Sequence, residues 1–180
     1  MKKGVWIISC ALILMFAQGT AWAQTDMDAD DEVDEERSTS DMEGLKVGPS
    51  LGFEIDWGDP YIGADGRYTM DVHPDFALAI NPTFQYVFVS NVTVLQFDTN
   101  ALFKFPVDEM ITPYAGAGLG FTRLSVSGFG GNTELAINLL GGAEFDVHEQ
   151  FDVFAQLKLS LVSGGNLVFL GGGMLFDFDL

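Results

Sequence analysis

The only two histidines of this 180-residue chain sit in one repeated tripeptide, as DVHPDF (Asp71 to Phe76) and DVHEQF (Asp146 to Phe151). An imidazole beside carboxylates can ligate a metal ion or act as a general base. A shared metal site needs both rings within about 2 Å of one ion. A general base needs a nucleophile or substrate within hydrogen-bonding reach. The other option is structural: one polar turn used twice. The elements that carry the two copies decide between them.

The remaining candidates are charges set singly among apolar residues: Glu54, Asp65, Arg67, Asp98, Lys104, Glu134, Glu144 and Lys158. They fall within eight segments: Leu45 to Ile55, Tyr61 to Val72, Phe76 to Val89, Val92 to Phe105, Ile111 to Leu124, Thr133 to Val147, Phe151 to Val162 and Leu167 to Leu180. The breaks DWGDP, HPD, SN, PVDEM, SVSGFGGN, HEQ and SGGN are rich in residues that tolerate turn backbone angles. Within the segments apolar and polar residues alternate. In the fourth, Thr93, Leu95, Phe97, Thr99, Ala101, Phe103 and Phe105 share one face and Gln96, Asp98, Asn100 and Lys104 the other. In the seventh, Phe151, Val153, Ala155, Leu157, Leu159 and Leu161 oppose Asp152, Gln156, Lys158 and Ser160. Period-two patterning with regular turn signals predicts an all-β barrel or sandwich. The segments are long enough, when tilted, to span the roughly 25 Å apolar band of an outer membrane. Strands of soluble proteins are usually only about 5–6 residues long.

The compartment is legible at the N-terminus. Lys2 and Lys3, an apolar run from Val5 to Ala17 and the small-residue end TAWA predict a secretory signal peptide over residues 1–23. Cys10 in IISC would serve as a lipoprotein site only by stranding ALILMFA on the mature side. Cleavage after Ala23 leaves 157 residues without cysteine, so an exported chain must hold its fold by burial or by a membrane. Residues 24–43 carry ten carboxylates and one arginine and are predicted to be a disordered acidic tail, since they cannot bury enough apolar surface to fold. Residues 44–180 form the single folded domain, with 16 acidic and 5 basic side chains. The net charge of −18, or −20 once Lys2 and Lys3 are removed, argues against nucleic acid and against electrostatic docking on anionic lipid surfaces.

Alternation does not say which face points outward. A soluble barrel with an oily interior needs a charged exterior, whereas the polar faces here are mostly Gly, Asn, Gln, Ser and Thr. That composition suits a cramped lumen, with lipid outside. The signal peptide, the eight amphipathic segments, the fifth segment TPYAGAGLGF (Thr112 to Phe121) and the alternating end Met174, Phe176, Phe178, Leu180 together resemble the small outer-membrane β-barrels of the OmpA-like and opacity-protein type. The resemblance covers residues 45–180. It implies an eight-stranded antiparallel up-and-down transmembrane β-barrel in a Gram-negative outer membrane, with both chain ends in the periplasm. It also implies outer-membrane lipid and the outer-membrane assembly machinery as partners. A final Phe is usual in the assembly signal of such proteins; this chain ends in Leu180.

With that orientation both Asp-Val-His copies are periplasmic turns four strands apart, on opposite sides of the rim. His73 and His148 are then expected to be turn residues, each followed by an interfacial Phe. No histidine reaches the extracellular rim, where barrel enzymes need their base, and the extracellular connections are short, so no catalysis, metal or cofactor is expected. GAGLG (Gly116 to Gly120) lies inside a strand with no helix after it, so its glycines are packing space. Alternate residues place Glu54, Asp65, Arg67, Asp98, Lys104, Glu134, Glu144 and Lys158 in or near the lumen. Strand direction puts Asp65, Arg67, Asp98 and Lys158 in its middle and upper half and Lys104 and Glu144 near the periplasmic end. Buried charges must pair, so Arg67 and Lys158 are expected on Asp65 and Asp98, and Lys104 on Glu144. The functional expectation is a structural or envelope-interaction barrel with a plugged lumen. The alternatives are a narrow channel or small-solute cavity, favoured by the inward Gly116, Gly118, Gly120, Gly171 and Gly173, which are expected to leave one wall of the lumen nearly bare, and last a lipid-modifying enzyme.

Overall fold

Alternation this regular has one stable outcome, a pleated strand with a different environment on each face. The computed structural model describes residues 44–90, 92–107, 110–126 and 130–178. The predicted signal peptide, the acidic tail and Leu180 lie outside the described residues. Eight strands follow in order: β1 (Gly44–Glu54), β2 (Pro60–His73), β3 (Phe76–Val89), β4 (Val92–Lys104), β5 (Ile111–Val126), β6 (Gly130–His148), β7 (Phe151–Val162) and β8 (Gly165–Phe178). β3 and β7 have the bounds read from the sequence. The largest departure is at β5 and β6, which run on through most of the SVSGFGGN break. There Leu124 pairs with Asn132 and Ser125 with Gly131, because a strand partner already in place extends the ladder through residues of low strand preference.

Each strand pairs antiparallel with its sequence neighbours, and β1 pairs with β8 from Leu45↔Phe178 to Glu54↔Phe169, closing the barrel. Closure leaves no edge whose backbone groups would go unsatisfied in lipid. One end of the barrel carries the start of β1, the end of β8 and the β2–β3, β4–β5 and β6–β7 turns; it is called the terminal end below. The far end carries the other four connections.

The burial pattern settles which face is outside. Among the described residues more polar than apolar side chains are buried, 20 against 13. Leu51, Phe53, Phe97, Leu119 and Phe121 meanwhile point outward and are each more than half exposed. A water-soluble protein does not display a continuous apolar surface of this kind, whereas a barrel in lipid requires it.

The two Asp-Val-His segments adopt the same turn. The His73 Nδ1 accepts a hydrogen bond from the Asp75 N–H at 3.2 Å, and the His148 Nδ1 accepts one from the Gln150 N–H at 3.2 Å. Each ring stacks on the phenylalanine three residues on, His73 on Phe76 at 5.1 Å and His148 on Phe151 at 5.3 Å between centroids. The strand register also shifts at the same place in both, between Asp71 and His73 and between Asp146 and His148. Four strands separate them around the ring. The repeat is a bulged turn in which the imidazole substitutes for a backbone acceptor.

A closed ladder of this kind resists detergent until heated. After refolding in detergent, an unheated sample is expected to migrate differently from a boiled one on a denaturing gel, and in plain buffer the chain should aggregate. Equal mobility of both samples would contradict closure.

Candidate functional site: the barrel lumen

Inward positions alternate along every strand, so the lumen can be followed as tiers starting from the terminal end. In the first, Lys46 from β1 pairs with Asp152 from β7 at 2.7 Å and Asp177 from β8 at 3.1 Å, joining the strands at the seam. Above it, Glu144 from β6 receives two cations, Lys104 from β4 at 2.7 Å and Arg67 from β2 at 2.5 Å. Arg67 also donates to Asp65 at 2.8 Å and to the Tyr114 hydroxyl at 3.1 Å. Its guanidinium carbon lies 4.6 Å from the Tyr114 ring centroid and 4.3 Å from that of Phe154. Arg67 is fully buried and Asp65, Lys104 and Glu144 almost so. In such surroundings an ionised group persists only with its charge and hydrogen bonds answered, as they are here.

A belt of side-chain amides crosses the middle. The Ser160 hydroxyl donates to Asn138 at 2.7 Å, Asn138 to Asn100 at 3.2 Å, Asn100 to Asn81 at 3.1 Å and Asn81 to Asp65 at 2.9 Å. Every amide donates in the same sense, and the chain ends on a carboxylate, an arrangement in which each bond polarises the next. The strand register explains it. Asn81, Asn100, Gly118, Asn138 and Ser160 are cross-strand partners in one row over β3 to β7. Gly118 has no side chain, so Asn100 and Asn138 reach each other across it. A Cβ there would lie 2.3 Å from the Asn100 Oδ1.

Towards the far end Lys158 pairs with Asp98 at 2.6 Å and donates to Gln96 at 3.1 Å and to Gln85. The lumen above it turns apolar. Tyr61, Val87, Val94, Leu167 and Phe169 pack together, with the Tyr61 and Phe169 rings edge to face at 5.6 Å. The Lys158 ammonium lies 4.9 Å from the Phe169 ring centroid, directly joining the charged and apolar tiers.

The structure thus places Arg67 on Asp65, Lys158 on Asp98 and Lys104 on Glu144. It adds the Arg67–Glu144 pair, which depth reckoned from Cα positions did not reveal, because arginine spans more than one tier. Glu54 is wholly buried, but it pairs with no cation among the described residues. Its carboxylate accepts the Trp57 N–H at 2.7 Å and the Val168 N–H at 3.2 Å, tying the β1–β2 connection to β8. Glu134 accepts from Asn132 at 3.0 Å near the start of β6, towards the far end. The expected bare glycine wall is corrected. Leu102 lies over Gly116, Asn100 over Gly118, Asp98 over Gly120, Tyr61 over Gly171 and Phe154 over Gly173. Glycine there makes room for the long side chains of adjacent strands, and the space it leaves is filled.

Residues 8–167 match the family described as outer membrane protein beta-barrel domain. The chain belongs to this outer-membrane β-barrel family. Comparison with curated proteins gives no match. Among solved structures, the N-terminal β-barrel domain of Pseudomonas aeruginosa OprF is 17% identical, covers 79% of this chain and 100% of that domain, and superposes with a TM-score of 0.58. Neisserial surface protein A is 18% identical over 76% of this chain and 98% of its own, with a TM-score of 0.58. The outer membrane enzyme PagL is 12% identical over 75% of this chain and 100% of its own, with a TM-score of 0.52. At these identities the likeness is one of fold. Membership of the family, not these superpositions, places the protein in the outer membrane.

The amide belt gives a direct test. In Gly118→Ala the new Cβ collides with Asn100, so the barrel is expected to lose about 1–3 kcal/mol from overpacking alone. Gly141→Ala is the control, since its Cβ would meet nothing closer than the Tyr114 carbonyl oxygen at 3.7 Å. Its effect should stay within about 0.5 kcal/mol. Urea unfolding of both variants in lipid vesicles measures the difference.

Proposed function

We propose that this protein is a closed structural barrel of the outer membrane, whose lumen is plugged by its own side chains and which performs no catalysis. Both chain ends face the periplasm, so the terminal end is periplasmic and the far end extracellular. Surrounding lipid and the outer-membrane assembly machinery are its partners, and any contact with other envelope components is made at its rims. The observation that carries the reading is the filling of the lumen: a bridged triad, an amide belt, a lysine–aspartate pair and an apolar tier follow one another, each contacting the wall on several strands. An eight-stranded barrel has an interior about wide enough for side chains alone. The short far-end connections leave no roofed cleft for a substrate, and neither histidine lies near that end.

A planar bilayer tests the plug. The wild-type barrel is expected to show no steady conductance. Glu144→Ala leaves Arg67 with Asp65 and removes the carboxylate from Lys104, which in a buried pair costs about 3–5 kcal/mol. Lys46→Ala, near the wetter terminal end, should cost less. The Glu144 variant should therefore unfold at lower urea and open intermittently. Steady wild-type conductance, unchanged in Glu144→Ala, would replace the plugged barrel with a channel.

A further inference from the structure

The outward face of the described strands carries one charged side chain. Lys46, Arg67, Lys104 and Lys158 all point into the lumen, and the carboxylates of the strands share that parity. Arg123 on β5 is the only residue of fixed charge on the outward face of the described strands, and it is exposed. No carboxylate among the described residues pairs with it. It lies three residues from the far end of β5, where a lipid-facing arginine costs little, whereas at the bilayer midplane it would cost heavily.

Its neighbours are equally distinctive. Arg123 is the cross-strand partner of Thr133 on β6, and the next outward row towards the far end pairs Thr93 with Ser125. The row on the membrane side pairs Phe97 with Phe121, both more than half exposed. A cation bordered by three hydroxyls therefore stands directly above an aromatic, acyl-facing surface. Arginine offers a planar fork of donors matched to phosphate oxygens, and the hydroxyls both donate and accept.

We propose that Arg123, with Thr93, Ser125 and Thr133, forms an outward-facing site for the phosphorylated sugar headgroup of an outer-leaflet glycolipid. The acyl chains of that lipid lie over Phe97 and Phe121. The hydroxyls favour a sugar phosphate over a simple phospholipid, because they can engage ring hydroxyls that a glycerophosphate lacks. The site rests on the orientation given above, which puts the far end of β5 in the outer leaflet.

The full-length barrel, purified in mild detergent, is exposed separately to bisphosphorylated lipid A, its dephosphorylated form and phosphatidylglycerol. Retained lipid is counted by native mass spectrometry. Wild type is expected to retain lipid A and to release the other two. Arg123→Gln should lower retention of lipid A about fivefold, the effect of one basic side chain at an anionic lipid surface. Equal retention by Arg123→Gln overturns the site. Equal retention of phosphatidylglycerol overturns the glycolipid as its occupant, as does retention of the dephosphorylated form. Orientation is read independently by labelling Ser90→Cys, at the β3–β4 turn, with a membrane-impermeant thiol reagent on intact cells. Labelling there supports the outer-leaflet placement. Labelling only after permeabilisation overturns the orientation, whatever the lipid arms show.

Discussion

A bilayer interior supplies no hydrogen bonds, so every backbone N–H and C=O of a spanning sheet must find its partner in the same sheet. The pairing of β1 with β8 meets that requirement, and the rest of the structure follows from it. Eight strands closed on themselves leave a lumen of fixed, narrow width. Whatever the inward faces carry must fit within it and answer one another's charges and hydrogen bonds, because lipid cannot do so.

Three devices meet this second requirement. Oppositely charged groups come from different strands: Lys46 with Asp152, Lys104 and Arg67 with Glu144, Lys158 with Asp98. Amides relay hydrogen bonds where no charge is present, and they deliver the polarisation of that row to Asp65. Glycines sit where a neighbour's side chain must lie flat against the wall, as Asn100 does on Gly118. Among the described residues the one buried side-chain atom without a hydrogen bond is the Asp98 Oδ1, pressed against Gly120 while its partner oxygen holds Lys158. Its exposure to the low-dielectric interior is offset by the ammonium next to it, so the pair is held tightly without every lone pair being used.

Much of this was legible beforehand. Alternation gave the strands, and its parity sorted the inward charges from the outward aromatics; the pairs Arg67–Asp65, Lys158–Asp98 and Lys104–Glu144 lie where parity and strand direction suggested. What was not legible depends on cross-strand register and side-chain reach. Asn81, Asn100, Asn138 and Ser160 are scattered over eighty residues of sequence and become one row only when the strands are staggered. Arg67 belongs to a tier above Glu144 by its Cα and to the same tier by its guanidinium. Glu54 reads as a lumen charge by parity, yet it lies so close to the β1–β2 connection that backbone N–H groups claim it first.

The apolar tier of Tyr61, Val87, Val94, Leu167 and Phe169 reverses the rule that holds elsewhere in the lumen. Its position accounts for this. Inward residues near a short-looped end have no further tier above them to satisfy polar groups, and a polar group there would either bind water or open a path for it. Val87, Val94, Leu167 and Phe169 need no partner and pack against one another, so within the cluster only the Tyr61 hydroxyl brings a donor and acceptor. The barrel is accordingly asymmetric along its axis. Its terminal end finishes in the partly exposed Lys46–Asp177 pair, which water can reach. Towards the far end the apolar cluster caps Lys158, which is held by Asp98 and the glutamines Gln85 and Gln96.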